Sequence, residues 1–342
     1  MYVSHYFEWE SAITGGHYQT VQNQRRILDD HGVAYTTEPD PSADLLHLNN
    51  MGPRSVVAAV RARRRGTPVL VHTHQTAEDF EESFAFSNVL AKPLRPYLEF
   101  AYGLGDHLVC PSTYTSDVIA GYTDTPRTVI SNGFDADRLA GHDDPDLRRE
   151  YLDRYDLEPP VVFNFGHVIE RKGLSAFVET ARRMPEVDFA WFGYLNPTGG
   201  RLDAVLKSST VRRTVRESPD NCTFTGYVED PRGAFAAGDV FFFPTKNENE
   251  GMVLLEAMSC GHPPVVRDIP TFEWLTGGED CLKADGVPGF VDALSTLLDD
   301  PERRDRLGDH AAELTTDYGL DAVGEELLDL YADLVGEDPR GS

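Results

Sequence analysis

Asn247 to Gly261 reads NENEGMVLLEAMSCG. It follows the apolar run Val240-Phe241-Phe242-Phe243, which stops at Pro244. A short aromatic run ended by proline reads as a buried strand. After Gly251, the residues Met252 to Cys260 read as a helix, and Gly261 stands where a left-handed glycine ends one. The stretch is therefore a strand, a polar loop, a glycine and a helix. In open α/β sheets ligands sit at such strand ends, with anionic groups on the helix N-terminus. Two carboxylates, Glu248 and Glu256, frame the loop with seven residues between them. Glu256 lies about one turn into the helix, and helical side chains lean toward the N-terminus, so it reaches back to the loop mouth. Its neighbours Val253, Leu254, Leu255, Ala257 and Met258 are apolar, and a glutamate in such company is rarely buried without a partner. Taken singly, each glutamate reads as a satisfied or solvated group. Taken as a unit, the stretch reads as a ligand site.

The chain has 342 residues, enough for two α/β domains, and 40% of them are hydrophobic, enough for a packed core. No apolar run is long enough to span a bilayer, and Met1-Tyr2-Val3 does not open a signal peptide. Any membrane contact is therefore expected to be peripheral. Net charge is -26, from 57 acidic and 31 basic residues, and the lysines are Lys92, Lys172, Lys207, Lys246 and Lys283 alone. This balance argues against nucleic acid as a partner. It suggests a protein that works in concentrated salt, where a Debye length of roughly 3 Å at about 1 M screens self-repulsion. An ordinary acidic surface is the plainer reading. Cys110, Cys222, Cys260 and Cys281 form no C-x-x-C pair, which fits a reducing cytoplasm.

Upstream, Thr14-Gly15-Gly16-His17 precedes a helical stretch running to about Asp30. Glycines there admit a close phosphate or sugar, although a lone pair of glycines usually makes a turn. Leu45 to Leu48 reads as a strand ending at Asn49-Asn50, and Pro68 to Val71 as another, ending at His72-Thr73-His74. On an extended segment His72 and His74 share a face. With Glu78 or Asp79 they number enough for zinc; histidines that merely end a strand are the plainer reading. Between the strands, Val56 to Arg65 reads as a helix with a basic end at Arg61, Arg63, Arg64 and Arg65. A solvated helix face and a contact with anionic lipid headgroups are equal readings of that cluster. Phe80 to Phe100 is rich in aromatic residues, Phe84 and Phe86 among them, and reads as core with some residues available to an acceptor groove or membrane surface. Further on, Val161 to Phe165, Phe189 to Tyr194, Cys222 to Val228 and Pro264 to Asp268 read as strands, and Leu320 to Val335 as a helix.

The Glu248–Glu256 unit resembles the E-x7-E segment of the retaining glycosyltransferases of family 4. That resemblance implies the GT-B fold, of class α/β, in which two doubly wound parallel sheets of Rossmann-like form face a cleft. It implies that Glu248 contacts the donor sugar, that Glu256 holds the ribose hydroxyls, and that the amides of Gly251, Met252 and Val253 face sugar and diphosphate. Glu250 stands where the family usually has an aromatic residue. Gly166-His167-Val168-Ile169-Glu170-Arg171-Lys172-Gly173 is similar to the family's phosphate segment, a glycine and arginine followed by lysine-glycine. Lys172 matches the lysine, His167 replaces the arginine, and Arg171 is a second cation nearby. Gly15 and Gly16 take the place of the family's glycine loop. Tyr227 and Val228 fall where the base binds. Asn49, at a position often histidine in the family, joins His72 and His74 on the acceptor side, with His74 grouped with Glu248 and Lys172 as catalytic.

Ser131-Asn132-Gly133-Phe134-Asp135 resembles the family's passage between domains. The expected organisation is an acceptor-side domain over 1–135, a nucleotide-sugar domain over 136–317 and a returning helix over 318–342. Asp135-Ala136-Asp137 reads as linker. The family's chemistry needs no cofactor and no essential metal. HTHQTAEDFEESFAFSN, from His72 to Asn88, and RDIPTFEWL, from Arg267 to Leu275, look like the branch that glycosylates diacylglycerol lipids. The resemblance thus implies a hexosyltransferase that uses a UDP- or GDP-sugar. Its acceptor is a membrane lipid or glycolipid, met in the cytoplasm or at the inner membrane face. Other readings are transfer to a polyprenyl-linked or soluble glycan, another enzyme of the fold, and a sugar-nucleotide-binding subunit without activity.

Overall fold

The computed structural model describes residues 1–80, 87–195 and 203–336. They divide into two compact units. One holds the chain up to Phe134 together with residues from Tyr318 onward; the other runs from Asp135 to Asp317.

In the first unit, short apolar runs give β1 (Tyr2–Tyr6), β2 (Ala34–Thr36), β3 (Leu45–Leu48), β4 (Val69–His72), β5 (His107–Cys110) and β6 (Arg127–Val129). They form one parallel sheet in the order β2-β1-β3-β4-β5-β6. Between them run α1 (Gly16–Asp30), α2 (Pro53–Arg65), α3 (Ala77–Phe80), α4 (Ser87–Tyr102) and α5 (Thr113–Ala120). The second unit repeats the plan. Its strands are β7 (Val161–Phe165), β8 (Asp188–Phe192), β9 (Cys222–Gly226), β10 (Val240–Phe243), β11 (Pro264–Arg267) and β12 (Leu282–Ala284), in the order β12-β11-β10-β7-β8-β9, again all parallel. Its helices are α6 (Pro145–Tyr155), α7 (Leu174–Arg183), α8 (Asp203–Arg216), α9 (Pro231–Ala237), α10 (Met252–Ser259), α11 (Gly286–Asp299) and α12 (Pro301–Leu314). The last helix, α13 (Leu320–Val335), belongs to the first unit and packs beside α1.

Both sheets are covered on both faces, so their strands are apolar at successive positions rather than alternate ones. In β3, Leu46 and Leu48 join the core under α2 and α4. Leu45 joins the opposite core, built with Ile27, Leu28 of α1 and Val323, Leu327, Leu328 of α13. In β10, Phe242 enters the core of α7 and α11, while Phe241 and Phe243 stack at 5.5 Å on the other face.

Each sheet has one point where the chain reverses its direction of growth, between β1 and β3 and between β7 and β10. Loops diverge there and leave a crevice at the carboxyl ends of the strands.

Some boundaries move. β5 ends at Cys110, and Ser112 caps α5, its hydroxyl accepting from Thr115 N at 3.1 Å. Asp135–Asp137 is not plain linker, because Asp135 caps a 3-10 turn over Ala136–Arg138. Of the aromatic stretch, Leu94 and Tyr97 pack on the first core and Phe100 is exposed. Phe84 and Phe86 lie outside the described residues. Among the described residues no helix is long and apolar enough to cross a membrane.

Candidate active site

At the β7/β10 crevice two loops are stitched together. Gly173, at φ +85°, lets the turn Glu170–Lys172 press on the end of β10; a Cβ there would lie 2.3 Å from the Pro244 carbonyl oxygen. Lys246 N donates to Arg171 O at 2.8 Å, and Thr245 Oγ1 lies 3.2 Å from the same oxygen. This places Lys172 and Arg171 against Glu248. Lys172 Nζ donates to Glu248 Oε1, as does Thr245 Oγ1 at 2.9 Å. Arg171 Nη1 donates to Asn247 O at 2.6 Å and lies 3.6 Å from Glu248 Oε2.

Glu248 is only 6% exposed, and Glu250 is buried too, so neither is a solvated surface carboxylate. Burial by itself would raise the Glu248 pKa. The charges of Lys172 and Arg171, with the hydrogen bonds of Lys172 and Thr245, outweigh it and hold the carboxyl below the ordinary range. His167 moves the other way: burial, then the charges of Lys172 and Arg171, lower its pKa. It is a neutral imidazole at neutral pH, not a partial substitute for an arginine. Arg171, the second cation read from the sequence, is committed to the Glu248 loop.

Gly251, at φ +98°, starts α10 in the left-handed region. The first intrahelical bond runs from Leu254 N to Gly251 O at 2.8 Å, so Met252 and Val253 make up the first positions of the helix, ahead of that bond. One turn in, Glu256 has a side chain 14% exposed, with Arg138 Nη1 at 4.0 Å. Burial pushes its pKa up to about 7, Arg138 opposing and Asp135 adding. Arg138 is held by the Asp135 cap, whose Oδ1 accepts from Arg138 N at 3.3 Å. The sequence reading passed over Arg138, since nothing in a solitary arginine 118 positions upstream marks it as the partner of Glu256.

Tyr227 is 62% exposed and stacks on Tyr194, itself 48% exposed, at 4.7 Å between centroids. Val228 is buried. Tyr194 was missed as a site residue. Its signal is a repeat: Gly193-Tyr194 and Gly226-Tyr227 each close one of two neighbouring strands.

The first unit has its own cluster at the β1/β3 crevice and the neighbouring end of β4. Asn49 is fully buried, and His74 Nε2 lies 3.2 Å from its Oδ1. His72 and His74 stack almost parallel at 4.2 Å, and His17 lies on His74 at 4.1 Å. His17 Nε2 donates to Asn49 O at 2.7 Å. Deeper in, His5 and Gln24 continue the network, and His47 Nδ1 meets Tyr331 Oη of α13 at 2.6 Å. Burial lowers the pKa of every one of these histidines, His5 and His17 to about 4 and His72 to about 3. Burial holds His47 and His74 well below the ordinary value, with His5 and His72 adding to it for His47 and His17 and His72 foremost for His74. His5, His17, His47 and Gln24 carried no sequence signal. Gly15 and Gly16 are exposed at the start of α1, and Gly15 O accepts from Gln19 N at 3.0 Å. Among the described residues no group of three or more His, Cys, Asp or Glu is arranged to hold a metal ion.

Two Rossmann-like sheets, with a cation–carboxylate loop ahead of a helix N-terminus in the second, define a glycosyltransferase of the GT-B fold. Comparison with known proteins agrees. Residues 16–138 match the model described as Glycosyltransferase Family 4, and residues 159–300 match Glycosyl transferases group 1. A processive diacylglycerol alpha-glucosyltransferase of Acholeplasma laidlawii is 32% identical over 324 residues, covering 92% of both chains. An alpha-galactosylglucosyldiacylglycerol synthase of Streptococcus pneumoniae is 25% identical, covering 94% of this chain and 85% of that one. Among solved structures, Anabaena HepE in complex with UDP-glucose superposes with a TM-score of 0.77 at 16% identity, over 97% of this chain and 100% of that one. Sucrose-phosphate synthase of Thermosynechococcus elongatus superposes with a TM-score of 0.80 at 14% identity, over 98% and 99%; these two likenesses concern the fold. The chain belongs to glycosyltransferase family 4 and is a hexosyltransferase.

Proposed function

We propose that the protein is a retaining transferase that moves a hexose from a nucleoside-diphosphate sugar to a diacylglycerol or glycosyl-diacylglycerol lipid. The observation that carries this reading is the buried Lys172–Glu248–Arg171 cluster beside the N-terminus of α10. Breaking an anomeric bond to phosphate leaves charge on the departing oxygens. Lys172 and the amides of Met252 and Val253 stabilise that charge in a preorganised site. Glu248 faces the sugar, and Glu256 accepts from the ribose hydroxyls. Tyr227, with Tyr194 beside it, offers the base a stacking surface, and Val228 its backbone. His74, neutral, exchanges a hydrogen bond with a sugar or acceptor hydroxyl, with Asn49 and His72 behind it. Gly15 and Gly16 leave room for substrate. The leaving phosphate takes the acceptor's proton on the face it departs from, so no carboxylate nucleophile is required. The cationic side chains carry the leaving charge without a divalent cation, so a chelator leaves turnover unchanged.

The lipid acceptor is supported by the names of the diacylglycerol-glycosylating relatives. It is supported also by α2, where Arg54, Arg61 and Arg65 line a groove of about 490 Å³ beside exposed Val57, in a chain of charge -26. That face is the proposed peripheral contact with anionic headgroups at the cytoplasmic membrane surface. The test is product analysis with labelled UDP-hexoses and GDP-hexoses on diacylglycerol vesicles. Label in an alkali-labile glycosyl-diacylglycerol supports the reading, and label confined to water-soluble sugars overturns the acceptor. A second reading is nucleotide-sugar binding without turnover. It is favoured by the saturation of Glu248 by both cations and by the neutral His167. Donor binding with no release of free sugar or transfer product would establish it.

A further inference from the structure

Nothing in the function proposed above uses RDIPTFEWL, the stretch from Arg267 to Leu275 that resembles the lipid-glycosylating branch. In the structure this stretch packs against the loop that carries Glu248 and meets it at three points. β11 pairs with β10 so that Val266 stands opposite Phe243. One residue further on, Arg267 Nε donates to Pro244 O at 3.1 Å, the same oxygen against which Gly173 is pressed. The guanidinium is fixed there by Asp285, whose Oδ1 accepts from Nη1 at 3.0 Å, and by the Phe290 ring at 5.0 Å. The chain then makes a 3-10 turn over Pro270–Phe272. On that turn Thr271 Oγ1 donates to the main-chain oxygen of Glu248 at 2.8 Å. Phe272 makes the third point: a Cβ on Gly251 would lie 3.3 Å from its ring, which sits 5.9 Å from the ring of Phe243. Thr271 and Phe272 are buried. The direction of both hydrogen bonds is fixed by chemistry, since a carbonyl oxygen only accepts.

Glu248 is therefore held twice. Lys172, Arg171 and Thr245 hold its carboxylate, and Thr271 holds its peptide. The cations decide where the charge is neutralised. The main-chain anchor decides where the side chain starts, and so which way the carboxylate is aimed. Aim matters, because a misplacement of about 1 Å can cost roughly a hundredfold in rate.

We propose that Thr271, Arg267 and Phe272 are positioning residues that aim Glu248 at the donor sugar, so that this segment governs donor turnover rather than acceptor choice. The effect on turnover rests on the reading of Glu248 as the residue that faces the sugar; the grip of the segment on the loop does not.

The experiment uses the full chain. Thr271→Val exchanges the hydroxyl for a methyl group of similar size, and Thr271→Ser keeps the hydroxyl. Hydrogen exchange over Thr245 to Gly251, read by mass spectrometry, needs no substrate. Thr271→Val is expected to speed it about fivefold, the worth of one hydrogen bond, with β10 unchanged and Thr271→Ser like the parent. Kinetics use labelled UDP-hexoses and GDP-hexoses with diacylglycerol vesicles. Thr271→Val is expected to lower kcat about tenfold, while KM for the lipid and Kd for the bare nucleoside diphosphate hold, and Thr271→Ser to recover kcat. Unchanged exchange in a folded Thr271→Val overturns the proposal. A raised KM for the lipid at unchanged kcat overturns it in favour of an acceptor role. An equal loss of nucleoside-diphosphate affinity overturns it as well, since the whole site would then have loosened. Where Thr271→Val fails to fold, Arg267→Gln, at the Pro244 anchor, is read by the same two measurements with the same expectations. A parent chain that transfers no hexose from these donors removes the function proposed above and the turnover half of this inference, and the exchange result still decides the grip.

Discussion

A carboxylate at the depth of Glu248 loses several kcal/mol of hydration, which only close cations and donors offset. Lys172, Arg171 and Thr245 supply them. Lys172→Met would strand that charge, so we expect a loss of about 3 kcal/mol in stability alongside the loss of turnover. Adding Glu248→Gln to Lys172→Met should restore most of the stability and none of the activity, a double-mutant cycle read by urea unfolding. A single mutant as stable as the parent would show that the pair is not coupled. Glu256 makes a different prediction, because its carboxyl is pushed up to about 7. In the folded chain it holds its proton above the ordinary value of 4.5, so its contribution to stability is full at low pH and is lost as pH rises through about 7. In the proposed role two ribose hydroxyls donate to Glu256, which favours the ionised form. Affinity for a nucleoside diphosphate should therefore climb about tenfold per pH unit below 7 and then level off, with a proton released on binding. Titration calorimetry across pH checks this, and Glu256→Gln should flatten the profile. A flat profile in the parent chain would remove Glu256 from the ribose site.

At the scale of elements, β1, β3 and β4 bring His5, His47 and His72 together in an interior that keeps them uncharged. An unfolded chain takes up protons at these side chains first, near pH 6.5. The stabilisation is complete above that value and drains away as pH falls toward 4, each histidine removing about 1.4 kcal/mol per pH unit. Hydrogen exchange, corrected for intrinsic rates, should show protection in β1, β3 and β4 falling between pH 6.5 and 5. β7 and β10 should hold better, since His262 is the buried histidine of their core. Equal loss in both sheets would contradict the assignment. The same elements explain what could be read beforehand. β10 and α10 are contiguous patterns, an apolar run and a glycine-bounded helix, and local physics is enough to find them. Lys172 and Glu248 were legible only through a motif, since 76 positions separate them. Of the histidine network, His72, His74 and Asn49 could be grouped beforehand, while His5, His17, His47 and Gln24 could not. His47 meets Tyr331 across 284 positions, and no periodicity connects a strand residue with a helix that far along. Tyr194 lay in plain view, but the neighbour that makes it a stacking partner becomes adjacent only when β8 and β9 pair.

Across the whole molecule the excess of acid is the dominant force at long range. At 0.1 M salt the screening length is about 10 Å and the carboxylates repel; near 1 M it is roughly 3 Å. We expect the melting temperature and turnover both to rise between 0.1 and about 2 M KCl, followed by scanning calorimetry and donor consumption. A melting temperature that is flat or falls with salt would return the composition to an ordinary acidic surface. The placement of α13 bears on how the molecule comes into being. Its residues Val323, Leu327, Leu328 and Tyr331 complete the core that Val3, Ile27 and Leu45 begin. Domains generally fold as units while the ribosome works, the earlier ones first. Here the unit whose strands are made first must wait for residues 320–335, and the unit between is the first whose chain is complete. Until α13 emerges, the sheet that carries the histidines has one face uncovered, and a nascent chain stalled before Leu320 displays that face to every chaperone and protease it meets.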